Sequence, residues 1–76
     1  MKGETFTERE WLQSIRSNLR LTQKKIARLI GISQNYYSWI EIGKRRPSPE
    51  VAKKISDVLK FVDYGFDWTE FFNESN

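Results

Sequence analysis

The sequence predicts an all-α fold, a compact bundle of about five short helices, and three observations predict it. Apolar residues recur at three- and four-residue spacing along the chain. Each apolar run is preceded by a Ser, Thr or Asp suited to open a helix. No window alternates apolar and polar residues with period two over a useful length, so a sheet is not expected. At 76 residues the chain supports one small domain, 1–76, with a core at about 8–60 and a C-terminal helix at about 67–73.

The first helix is expected from about Glu8 to Asn18. Thr7 and Glu10 fit the Ser/Thr-x-x-Glu capping box, and Trp11, Leu12, Ile15 and Leu19 follow at helical spacing. Thr22 caps a second helix, with Ile26, Ala27, Leu29 and Ile30 as its apolar stripe and Gln23, Lys24, Lys25 and Arg28 on the other face. Gly31 closes it in the left-handed conformation. Ser33 then caps a third helix, in which Tyr37 and Ile40 face inward, and Gly43 stops it before the loop Lys44-Arg45-Arg46-Pro47. Ser48-Pro49 reads as N-cap and first helical position, where the missing N–H of proline is not needed. Val51, Ala52, Ile55, Val58 and Leu59 form the buried stripe of the fourth helix. Phe61 to Gly65 is a connection, and Asp67-Trp68-Thr69-Glu70 opens a last short helix carrying Phe71 and Phe72.

Composition removes several function classes. The chain has no Cys and no His, so it has no disulfide framework, no thiolate metal site and none of the commonest acid–base residue. No cofactor, metal or small-molecule ligand is expected, and an enzyme is discounted because nucleophile–base pairs are missing. No apolar run approaches the length of a membrane span, and the polar N-terminus does not resemble a signal peptide. A cytoplasmic protein, complete as it stands, is the expectation. Charge is divided unevenly. Residues 23–54 hold eight basic residues against two acidic ones, a net +6, whereas residues 55–76 hold one against five, a net −4. One surface should therefore attract a polyanion while the tail faces elsewhere.

The two central helices are joined only by Gly31-Ile32-Ser33, too tight a link for antiparallel packing, so they should cross steeply as a helix-turn-helix. Ala27 allows the close approach, and Ile26, Ile30, Ile32, Tyr37 and Ile40 fill the contact. Gln34, Asn35, Ser38 and Trp39 are left pointing outward. Gln and Asn amides match the N6 and N7 edge of adenine, while a helix N-terminus and clustered cations favour phosphate. The pattern thus places polar readers between phosphate holders, as a double-stranded DNA binder requires.

Residues 12–59 resemble the Cro/CI-type helix-turn-helix of the XRE family of phage and bacterial regulators, a lambda repressor-like DNA-binding domain. The resemblance rests on LQSIRSNLRLTQKKIARLIGIS, YYSWIEIGKRRPS and VAKKISDVL, which join Thr22-Gln23, Ala27, Gly31, Ile32, Glu41, Gly43-Lys44 and Pro47-Ser48 in order. It implies transcriptional regulation, with repression as the expected direction. It implies base contacts from Ser33, Gln34, Asn35, Ser38 and Trp39, and phosphate contacts from Gln23, Lys44, Arg45 and Arg46; the residues themselves add Lys24 and Tyr36 as phosphate contacts. It also implies a structural ion pair between Arg16 and Glu41, and a homodimer on a palindromic operator. Trp39 and Ile42 depart from the family pattern, which favours polar side chains there. Trp39 is open between a thymine methyl, the sugar–phosphate chain and the protein itself, and Tyr36 between phosphate and packing.

Trp68, Phe71 and Phe72 have two readings: they cap the monomer's core over Trp11 or Leu59, or they form a dimer interface. The rival function is an antitoxin or other protein-interaction module, in which the acidic, aromatic tail binds a protein.

Overall fold

The computed structural model describes residues 8–73. Four α-helices follow one another: α1 (Glu10–Asn18), α2 (Gln23–Ile30), α3 (Gln34–Ile42) and α4 (Pro49–Val58). Two 3-10 turns, Phe61–Tyr64 and Trp68–Phe72, complete the chain. No strand occurs among the described residues. The fold is all-α as expected, with four α-helices where about five were anticipated. The anticipated last helix is a short 3-10 helix rather than an α-helix. Asp67 opens it by accepting from Thr69 N at 2.9 Å, and the backbone bonds Glu70 N to Asp67 O and Asn73 N to Glu70 O span three residues rather than four.

Three helix starts use the same device. Thr22, Ser33 and Ser48 each accept a hydrogen bond from the backbone N–H three residues on, at 3.0, 3.0 and 3.2 Å. The α1 start differs from the sequence reading. It begins at Glu10 rather than Glu8, and Arg9 precedes it without a side-chain cap. Thr7, the expected cap, lies outside the described residues.

The helix ends are equally local. Gly31 sits at φ +81°, where Ile32 N donates to Ala27 O (3.0 Å) and Gly31 N to Arg28 O (3.3 Å). This is the Schellman closure, which needs a left-handed residue. Gly43 (φ +87°) repeats it at the end of α3, with Lys44 N donating to Trp39 O (2.9 Å) and Gly43 N to Ile40 O (3.3 Å). The first closure fixes the link between α2 and α3, and the second sets the direction in which the basic loop leaves α3.

The buried core takes Leu12 and Ile15 from α1, Ile26, Ala27 and Ile30 from α2, Tyr37 and Ile40 from α3, and Ala52 and Ile55 from α4. Leu59, Phe61 and Phe71 complete it. Leu29, expected on the buried stripe, is instead 53 % exposed, because Ile26, Ala27 and Ile30 already span the inward arc of α2. Trp11 gathers the C-terminal aromatics, with ring centroids 5.7 Å from Phe61, 5.6 Å from Phe66 and 5.3 Å from Phe71. Phe71 is therefore fully enclosed by its own chain and offers no surface to a second copy. Trp68 and Phe72 are half-buried against the same core.

Gly31→Ala isolates the cost of the first closure, since no atom lies within 4 Å of a Cβ built there. The penalty is purely conformational, so the variant should lose about 1–2 kcal/mol. The expected signature is a lower urea midpoint with an unchanged slope.

Candidate nucleic-acid interface

The candidate site is built on α3, whose two faces differ sharply. Tyr37, Ile40 and Glu41 are buried, while Ser33, Gln34 and Asn35 are exposed at its N-terminus and Ser38 is half-buried. Of the expected polar row, Gln34 and Asn35 lie in the first turn and Ser38 and Trp39 in the middle of the helix. The Ser33 hydroxyl accepts from Tyr36 N at 3.0 Å, so it serves as the cap and keeps its own proton to donate outward. Tyr36 is half-buried and packs against the core.

Orientation of α3 is set from behind by Glu41, which is 0 % exposed. Arg16 Nε donates to Glu41 Oε2 at 2.5 Å and Arg16 Nη2 to Oε1 at 3.2 Å. Gln23 Nε2 donates to the same Oε1 at 2.9 Å. Arg16 Nη1 also donates to Leu21 O at 2.8 Å, in the link between α1 and α2. Its bond to the carboxylate pushes the Arg16 pKa further above its usual value, against the opposing pull of burial. The sequence did not reveal the Gln23–Glu41 bond. It occupies one amide hydrogen of a residue expected to hold phosphate and leaves the second.

Tyr37 lies beside this pair, and its buried hydroxyl has no hydrogen-bond partner among the described residues. Burial first, and then the negative charge of Glu41, push the phenol well above its ordinary value.

Lys24 is exposed at the start of α2, and Lys44, Arg45 and Arg46 are exposed beyond α3. Trp39 departs from the outward row. It is half-buried, with Lys44 Nζ 4.7 Å and Arg45 Cζ 5.5 Å from its ring centroid. Attraction of both cations to the ring holds the loop over the indole, so Trp39 supports the basic loop. Arg46 lies over Phe72 in the same way, at 5.5 Å.

Arg9, which sequence reasoning did not single out, packs next to these elements. Its guanidinium reaches the end of α3 and the basic loop, donating to Ile40 O at 2.5 Å and Arg45 O at 2.9 Å. One signal was available: α3 carries no basic residue in its own last turn. Among the described residues no group of His, Cys, Asp or Glu is placed to hold a metal, and no helix is long and apolar enough to cross a membrane.

The sequence itself has matches among known proteins. Residues 12–66 fit the helix-turn-helix family. The chain belongs to the XRE-type helix-turn-helix family of DNA-binding transcription regulators. It is similar to the uncharacterised HTH-type transcriptional regulator YqaF of Bacillus subtilis (strain 168), 42 % identical over 66 residues that cover 87 % of this chain and 80 % of that protein. No solved structure matches it.

Two measurements check the framework behind the helix. Glu41→Ala strands Arg16 without its acid and should cost about 3–5 kcal/mol in chemical unfolding. Tyr37→Phe tests the buried phenol. A folded-state pKa raised above the unfolded value of 10.0 gives stability that is complete below about pH 10 and is lost as pH rises beyond it. The variant should match or exceed the parent at neutral pH and lose less stability between pH 9 and 11.

Proposed function

We propose that the chain is a sequence-specific repressor that binds a palindromic DNA operator as a homodimer in the cytoplasm. The observation that carries this reading is the exposed Gln34–Asn35 pair at the N-terminus of a helix that a buried acid anchors near its other end. The first turn of α3 enters the major groove. Gln34 and Asn35 hydrogen-bond base edges there, helped by the Ser33 and Ser38 hydroxyls. Lys44, Arg45 and Arg46 neutralise phosphates on one side of the groove. Lys24 and the N-terminus of α2, with the remaining Gln23 amide hydrogen, take phosphate on the other. Tyr36 packs at the edge of this surface, where its hydroxyl can add a phosphate contact. One short helix reads too few bases to select a site in a genome, so two copies would bind half-sites about one helical turn apart.

The test is selection from a random duplex pool at two salt concentrations, followed by binding of variants to the enriched site. A palindrome should emerge and persist at the higher salt. Gln34→Ala or Asn35→Ala should relax preference at one base position by about 1–3 kcal/mol. Arg45→Ala should weaken all sequences alike and lower the salt slope by about 1. Binding that vanishes with salt and enriches no motif would leave only a nonspecific basic surface.

A further inference from the structure

We infer that Arg9, which lies outside the helix-turn-helix, is a positioning residue for DNA binding: it fixes the phosphate-contacting loop against the end of α3. The inference rests on the proposed DNA contact of that loop. Arg9 is only 5 % exposed, unusual for an arginine flanking a surface helix. Its backbone and side chain act on the same target. Arg9 N donates to Glu41 O at 2.8 Å, and Nη1 donates to Ile40 O at 2.5 Å. Two consecutive carbonyls of the last turn of α3 thus accept from one residue in a distant part of the sequence, that of Ile40 in addition to its bond from Gly43 N. The last carbonyls of a helix lack partners within it and carry partial negative charge, which a cation stabilises. No basic residue in the last turn of α3 does this, so Arg9 supplies the charge from across the fold.

The second bond of Nη1 is the functional one. It goes to Arg45 O at 2.9 Å, inside the loop. One nitrogen therefore bridges the helix end and the loop, across the left-handed turn at Gly43. The guanidinium also lies over the Phe71 ring, 5.5 Å from its centroid, so the C-terminal turn backs it. Without this bridge, Lys44, Arg45 and Arg46 would keep their charge and their rings, but the loop backbone at Arg45 would lose its tie to the N-terminal side of the fold and be held less firmly relative to Gln34 and Asn35. Ordering the loop would then oppose binding.

The experiment compares the parent chain with Arg9→Met and Arg9→Gln at 10 °C. Fluorescence anisotropy is read on a selected duplex and a random one over a salt series, with circular dichroism to verify folding. Folded Arg9→Met should bind both duplexes roughly fivefold more weakly, with selectivity unchanged. Arg9→Gln, which retains a neutral donor, should fall between. In a Lys44→Ala/Arg45→Ala/Arg46→Ala background, Arg9→Met should cause no further loss, because the loop through which Arg9 acts no longer holds phosphate. Three results would overturn the inference: parent-level affinity in folded Arg9→Met, the same fivefold loss in the loop-neutral background, or failure of both Arg9 variants to fold. A parent chain with no salt-dependent DNA binding would instead remove the reading on which the inference stands.

Discussion

A single buried carboxylate organises this domain. Glu41 is on α3, its ion partner Arg16 on α1, and its second donor Gln23 on α2. Removing a carboxylate from water costs several kcal/mol, so Glu41 is tolerated inside only while both donors are in place. That requirement is geometric. If α3 rotated about its axis, the acid would leave Arg16 and Gln23 while Tyr37 and Ile40 left the core. The same rotation would move Gln34 and Asn35 off the outer face. The energetics of one buried acid and the direction of the outward amides are therefore one constraint seen from two sides.

The ends of α3 extend this control along the helix. At its start, the Ser33 hydroxyl occupies the Tyr36 N–H and holds the exposed amides on a formed first turn. At its end, Gly43 turns the chain sharply, and Arg9 ties the emerging loop back to the helix. Readers and phosphate holders are thus placed by different devices, local capping for the first and a long-range bridge for the second.

Most of this was legible in the sequence where the governing physics is local. Thr22, Ser33, Ser48 and Pro49 announce helix starts because their effect depends on the next three residues. Gly31 and Gly43 announce ends because only a left-handed residue closes the turn. The Arg16–Glu41 pair was reached through family resemblance, since nothing in spacing alone brings residues 16 and 41 together. What was not legible depends on distant geometry. Arg9 looks like one more charge in a polar N-terminus until α3 and the loop are seen beside it. Trp39 reads as outward on helical spacing, and nothing in that spacing announces Lys44 and Arg45 lying over its ring. Phe71 could have served a partner or the core, and the cage of Trp11 and Phe61 decides for the core.

The way the loop cations are held bears on how they can act. Among the described residues none of Lys44, Arg45 and Arg46 is paired with an acid, although the C-terminal segment is rich in carboxylates. Asp67 is occupied by Thr69, whose backbone and hydroxyl bonds hold its carboxyl below the usual range. The cations rest on rings instead, two on Trp39 and one on Phe72, and Lys53 does the same on Trp68. An acid partner would position a cation by cancelling its charge. An aromatic ring positions it and leaves the net charge in place, so the field that draws a polyanion to this face is undiminished. Phe72 packs against the core and also carries Arg46, and this ties the acidic C-terminal turn to the basic loop without neutralising it.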